Sequence, residues 1–222
     1  MATLHYIYDP LCGWCYAAAP LIAAAREVPG VAIAMHGGGM LTGARQREIT
    51  PQWRDYVLPH DTRIEEMTGQ HFGTAYKDGL LRETGVMMDS EPPTTAILAA
   101  ETVAGRGLDM LRRLQQAHYV EGRHISDRDT ITKLAGELGL DAAAFNEAFD
   151  RLAGQPTDEH FQESHHWLAQ AGGQGFPTMA LELPGDPVKG EPPTLARVDV
   201  GSFLGQPRAF AQALQDALGA GN

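Results

Sequence analysis

The sequence predicts an α/β fold whose two parts are separated by a long helical insertion. Three observations carry this expectation. The chain opens on an alternating run, Thr3 to Tyr8, then an Ala-rich helical run, Tyr16 to Val28, then a short apolar run, Val31 to Met35. That order is a β-α-β unit, which implies a parallel pair joined by a right-handed crossover. From about Leu41 to about Gln155 strand alternation gives way to helix punctuation. Alternation then returns in Met179 to Leu183 and Ala196 to Val200, ahead of a last helix. The expected division is 1–40 with 156–222 as one α/β domain, and 41–155 as an inserted helical subdomain.

Whole-chain properties narrow the possibilities. A chain of 222 residues with 43% hydrophobic content suits one globular domain carrying an insertion. Its net charge of −11 argues against nucleic acid and anionic membranes as partners. The start lacks a basic stretch followed by an apolar one, so a secretory leader is not expected. No apolar run approaches the ~20 residues of a membrane span. Two cysteines without a leader fit a reducing cytoplasm. The oligomeric state stays open, a homodimer included.

Taken in order, each element has a local reason. Leu4, Tyr6 and Tyr8 alternate with His5 and Ile7, and Asp9-Pro10 ends the strand as a turn. The first helix holds Pro20, which removes a hydrogen bond, and Pro29-Gly30 stops it. After the second strand, His36-Gly37-Gly38-Gly39 lacks the spacing of a phosphate loop and reads as a flexible exit from the sheet. Thr50-Pro51 caps a helix that Pro59 is expected to break. Pro92-Pro93-Thr94 opens another, running to Gly105. Leu108 to Val120 is amphipathic. Ser126 to Asp129 resembles a capping box ahead of Ile131 to Leu138, and Asp141 caps Ala142 to Leu152. Thr157 or Asp158 caps a helix ending near Ala171. Phe176-Pro177 then leads into a strand with one buried face, Pro184 to Thr194 is a turn-rich connection, and a strand through Val200 completes an antiparallel hairpin. Gln206-Pro207 opens the last helix, with Phe210, Leu214 and Leu218 at helical spacing.

The chemistry concentrates in Asp9-Pro10-Leu11-Cys12-Gly13-Trp14-Cys15-Tyr16, which holds both cysteines at a strand-to-helix junction. Unpaired N–H groups and the helix dipole favour an anion there, so a thiolate at Cys12 is expected to be stabilised. Cys15 would sit one turn further in, placed to attack a mixed disulfide. Gly13 is expected to allow a tight turn, and Trp14 to cap the site or touch substrate. A zinc site would need further thiols or histidines; no second CxxC exists, and His165 and His166 are sequence neighbours that point apart on a helix. No metal is therefore expected. His5, His36, His118, Trp53 and Trp167 read as core or surface residues rather than catalysts.

This order of elements, with Asp9, Cys12-Gly13-Trp14-Cys15-Tyr16, Pro20 in the first helix, the distant Gly175-Phe176-Pro177, and Ala117 to Asp127 in the insertion, resembles the DsbA-like disulfide oxidoreductases of the thioredoxin fold, in their FrnE-type branch. The resemblance covers nearly the whole chain. It implies a thiol-disulfide oxidoreductase in which Cys12 forms the mixed disulfide and Cys15 resolves it. It implies a cis Pro177, against the plain alternative of a trans turn proline. Gly13, Trp14, Gly175, Phe176 and Pro177 would contact substrate, an extended peptide pairing beside Pro177. Asp9 would either assist proton transfer at Cys15 or form an Asx turn before Pro10. The implied redox centre is the Cys12–Cys15 pair with no separate cofactor, and the partners are thiol- or disulfide-containing proteins or glutathione. The sequence departs from the family in its Gly-Trp dipeptide, in Phe before Pro177, and in lacking a C-terminal cysteine pair. Two other readings stay open. Kappa-class glutathione transferases and 2-hydroxychromene-2-carboxylate isomerases share this architecture, with Ser at the first cysteine position. A thiol-dependent chaperone or adaptor would account for the size of the insertion.

Overall fold

The computed structural model describes residues 1–185, 190 and 192–220. Strand β1 (Ala2–Tyr8), helix α1 (Gly13–Arg26) and strand β2 (Val31–Gly37) form the expected unit. The two strands are parallel, with Leu4 opposite Ile33 and Tyr6 opposite Met35. Helix α1 begins at Gly13, three residues earlier than expected, because Tyr16 N–H already bonds back to the carbonyl of Cys12 at 3.1 Å. Pro20 lies inside it.

The glycine run after β2 is not a flexible exit. His36 and Gly37 belong to the strand, and Gly37, Gly38 and Gly39 are buried. A Cβ on Gly38 would stand 2.1 Å from the ring of Phe176, and one on Gly37 would stand 2.7 Å from a methyl of Thr94. These glycines let two other segments press against the end of the sheet.

The intervening segment is not purely helical. Strand β3 (Arg47–Glu48) pairs with β4 (Met87–Met88) as a two-stranded antiparallel sheet. Between them lies α2 (Pro51–Thr68), whose cap Thr50 accepts a hydrogen bond from Trp53 N–H as expected. Pro59 does not break it. The proline is exposed, while Asp61 and Ile64 beyond it are buried, so packing holds the helix through the missing bond. Helix α3 (Glu91–Ala104) ends at Gly105 in the left-handed region, and α4 (Gly107–Tyr119) follows. Asp127 and Asp141 cap α5 (Arg128–Glu137) and α6 (Ala142–Leu152) through their carboxylates.

Helix α7 (Gln155–Gln170) starts before the expected caps. Thr157 is inside it and buried, with its hydroxyl on the Leu152 carbonyl and on Thr95. Strand β5 (Thr178–Leu183) runs antiparallel to β1 with Tyr6 opposite Met179, and β6 (Thr194–Val198) runs antiparallel to β5. The sheet order is β2-β1-β5-β6. Strand β6 stops at Val198; Val200 belongs to a short 3-10 turn, not to the strand. The connection expected over Pro184 to Thr194 lies partly outside the described residues. Helix α8 (Pro207–Ala220) closes the chain.

Both faces of β5 are buried from Thr178 to Leu181, not one, because the sheet is covered on both sides. Leu4, Tyr6, Met179 and Leu181 pack with α1 and α8 in the main core. Ile7 and Ala180 face the other way, against Trp167 and Leu168 of α7. On that second face His5 bonds His36 at 3.0 Å, and Trp167 stacks on His5 and lies tilted against His36. They are core residues, as expected. Burial and the neighbouring rings of His5 and His160 push His36 down to about 4.

Candidate active site

The turn leaving β1 delivers Cys12 to the N-cap of α1, where the first free N–H groups of the helix gather. The chain folds this way because Asp9 organises it. Asp9 Oδ1 accepts from Leu11 N–H and from the Ser90 hydroxyl, both at 2.9 Å, and Oδ2 accepts from Met40 N–H at 2.6 Å. The Leu11 bond is the Asx turn. The other two tie the turn to the loop after β2 and to the start of α3. Burial pushes the Asp9 carboxyl up to about 6 against the pull of those donors.

The two sulfurs have different surroundings. Cys12 retains 6% of its surface, less than an open site at a helix tip suggests, and its Sγ–H donates to the Phe176 carbonyl at 3.4 Å. Cys15 is fully buried, and its sulfur accepts from Asp9 N–H at 3.4 Å. Burial first, then the hydrogen bond and field of Cys12, push the Cys15 thiol up. Both cysteines are free thiols. The Asp9 carboxylate makes no bond to either sulfur; only its backbone does.

The residues expected to meet substrate converge in part. Phe176, 164 residues from Cys12, places its carbonyl on that sulfur, and the Phe176–Pro177 peptide is cis. Gly175 is exposed, and its carbonyl accepts from Thr178. Beside Pro177 a cavity of about 340 Å³ is lined by Thr178, Arg197, Asp199 and Gly201 among others. Trp14 is half-buried, beneath the guanidinium of Arg63. Gly13 needs no special backbone: its φ is not positive, and a Cβ there would meet only Ile64 and Asp61 at 3.4 and 3.5 Å.

Several neighbours carried no sequence signal. Tyr6 donates its hydroxyl to the Cys15 carbonyl at 3.3 Å. Asp61 of α2 is buried against Gly13, accepts from Tyr76 OH at 3.2 Å, and is pushed up to about 7 by burial. Ser90 and Arg63 likewise reach the site from elements remote in sequence.

A thiol on a helix cap, touching the carbonyl of a proline loop and backed by a second thiol sealed inside the same turn, defines a dithiol–disulfide exchange centre on a thioredoxin-type fold. A family model described as DSBA-like thioredoxin domain matches residues 3–191, and the chain belongs to that family of thiol-disulfide oxidoreductases. The cytosolic disulfide reductase DsbM from Pseudomonas aeruginosa is 48% identical, with a TM-score of 0.87 over 97% of this chain and 98% of that one. The same protein with GSH gives 47% identity and a TM-score of 0.86 over the same shares. A 2-hydroxychromene-2-carboxylate isomerase, at 15% identity and a TM-score of 0.53 over 80% of this chain and 84% of that one, shares the fold alone. A comparison with curated proteins finds no match. No helix among the described residues is long and apolar enough to cross a membrane.

Proposed function

We propose that this chain is a cytoplasmic disulfide reductase that works on glutathione disulfide, glutathione mixed disulfides or protein disulfides. The observation that carries the reading is the pairing of Cys12, which keeps 6% of its surface at the helix cap, with a fully buried, proton-retaining Cys15, in a chain 48% identical to a cytosolic disulfide reductase. The Cys12 thiolate attacks one sulfur of the substrate disulfide. A Cys12–substrate bond forms, the substrate S–S bond breaks, and one thiolate leaves and takes a proton. Cys15 then loses its proton and attacks Cys12 Sγ, which releases the second substrate thiolate. The products are two substrate thiols and a Cys12–Cys15 disulfide, so two electrons pass to the substrate. Asp9, beside Cys15 and ionising near neutrality, supports the reading of it as acceptor of the Cys15 proton. The backbone at Phe176 offers an edge for an extended substrate, with Gly175 and Pro177 flanking it and Trp14 as a further contact. The dithiol is the redox centre and no separate cofactor takes part.

Trapping tests this. Cys15→Ser, reduced and mixed with glutathione disulfide, is expected to hold one glutathione on Cys12, seen by intact mass and peptide mapping. Wild-type protein is expected to release it as the internal disulfide forms. A Cys15→Ser protein that accumulates no adduct would contradict the mechanism. So would a Cys12→Ser protein that still turns over.

A further inference from the structure

Arg63 stands out on the rim of the dithiol site. It is exposed on α2, and its guanidinium lies over the ring of Trp14, the residue between the two cysteines' own turn positions, at 5.8 Å from the centroid. Among the described residues no carboxylate forms an ion pair with it. Two of the acids near it on the same helix are committed elsewhere, and the third, the exposed Glu66 three residues on, forms no ion pair with it. Glu65 takes Lys77 and Phe72 N–H, while Asp61 is buried against Tyr76 and Gly13. Burial also pushes Asp61 up to about 7, so at neutral pH it carries only part of a charge to offset the arginine. The chain as a whole carries −11, a field that repels anions from most of its surface. Against that field, a cation with no ion pair among the described residues, held over the ring of the tryptophan next to Cys15 in sequence, is a local exception. The flat ring of Trp14 restrains the guanidinium while leaving its N–H groups free for a carboxylate.

We propose that Arg63, steadied by Trp14, selects small disulfides that carry carboxylates, of the glutathione type, over neutral or cationic ones. This rests on the exchange reading of Cys12. The chemistry at sulfur is unchanged; Arg63 binds the flank of the substrate and takes no part in bond making.

The test uses three disulfides with the same reaction and different charge: glutathione disulfide, bis(2-hydroxyethyl) disulfide and cystamine. Pre-reduced wild type, Arg63→Gln and Arg63→Lys are mixed with each, and second-order rates of protein oxidation are read. The selectivity for glutathione disulfide over the neutral disulfide is expected to fall about fivefold in Arg63→Gln, the size of one exposed ion pair. Selectivity for cystamine over the neutral disulfide is expected to rise. Arg63→Lys is expected to keep most of the wild-type selectivity, and added salt to erode it in wild type more than in Arg63→Gln. A general loss of folding or of Trp14 packing would lower all three rates together and leave the ratios in place. Ratios unmoved in Arg63→Gln, or lost as fully in Arg63→Lys, would overturn the proposal. If wild type reduces none of the three disulfides, the exchange reading itself fails instead.

Discussion

The mouth of the site and its floor lie one helical turn apart and are built on opposite terms. At the mouth, Cys12 keeps a sliver of surface and meets a carbonyl from a segment 164 residues away. Around it stand half-buried or exposed groups, Trp14, Arg63, Phe176 and Pro177. At the floor, Cys15 has no surface and sits under Asp9, Tyr6 and their hydrogen-bonded neighbours. The mouth can change partners; the floor cannot. In the proposed reaction that asymmetry sets the order: Cys12 attacks first, and Cys15, which burial keeps protonated, acts on the mixed disulfide.

The sharpest way to break the comparison is to exchange the roles. Cys12→Ser is expected to lose disulfide turnover entirely in a glutathione-disulfide or insulin-reduction assay, since Cys15 has no route to substrate. Next comes the floor itself. Asp9→Ala leaves Leu11 N–H, Met40 N–H and the Ser90 hydroxyl without their acceptor. A loss of ~3 kcal/mol in urea unfolding is expected from three orphaned donors in a buried turn.

The titrating groups give a third test. An unfolded His titrates near 6.5. Burial pushes His36 and His118 down to about 4, so the unfolded chain binds more protons between those values. Their contribution is full above about pH 6.5 and is lost as the pH falls toward 4. Asp61 works in the opposite sense. Its folded value, about 7, lies above its ordinary 3.8, so the folded chain holds the extra proton. That contribution is full below about 3.8 and is lost as the pH rises through 7. Asp61→Asn is therefore expected to gain stability relative to wild type on going from pH 5 to pH 8, by ~2 kcal/mol in urea midpoints followed across that range. The smallest effect is expected at Gly13→Ala. The backbone there is ordinary helix and a Cβ meets only van der Waals contacts, so stability should stay level or rise by under ~1 kcal/mol.

The dithiol turn itself was more legible in sequence than the groups that pack against it, for a physical reason. Asp9, Cys12 and Cys15 lie within one turn and one helix start, where spacing alone sets geometry. The helix caps at Thr50 and Asp141 were legible on the same ground, whereas the capping box read from Ser126 was one residue off, because Ser126 bonds Asp89 and Asp127 caps the helix. Pro177 could be placed only through family resemblance, because nothing near it in sequence points to Cys12. Ser90, Asp61 and Arg63 gave no signal, since each reaches the site by the packing of a whole helix. Pro59 misled because an exposed helix can spare one hydrogen bond when its far side is anchored by Ile64. The glycines at 37–39 misled because close approach of Phe176 and Thr94, not mobility, is what requires them.

Differential alkylation of the reduced, folded protein tests the division between mouth and floor most directly. With limiting iodoacetamide, followed by peptide mapping, label is expected on Cys12 while Cys15 stays unmodified until the chain is unfolded. Equal labelling of the two sulfurs, or label appearing first on Cys15, would contradict the account.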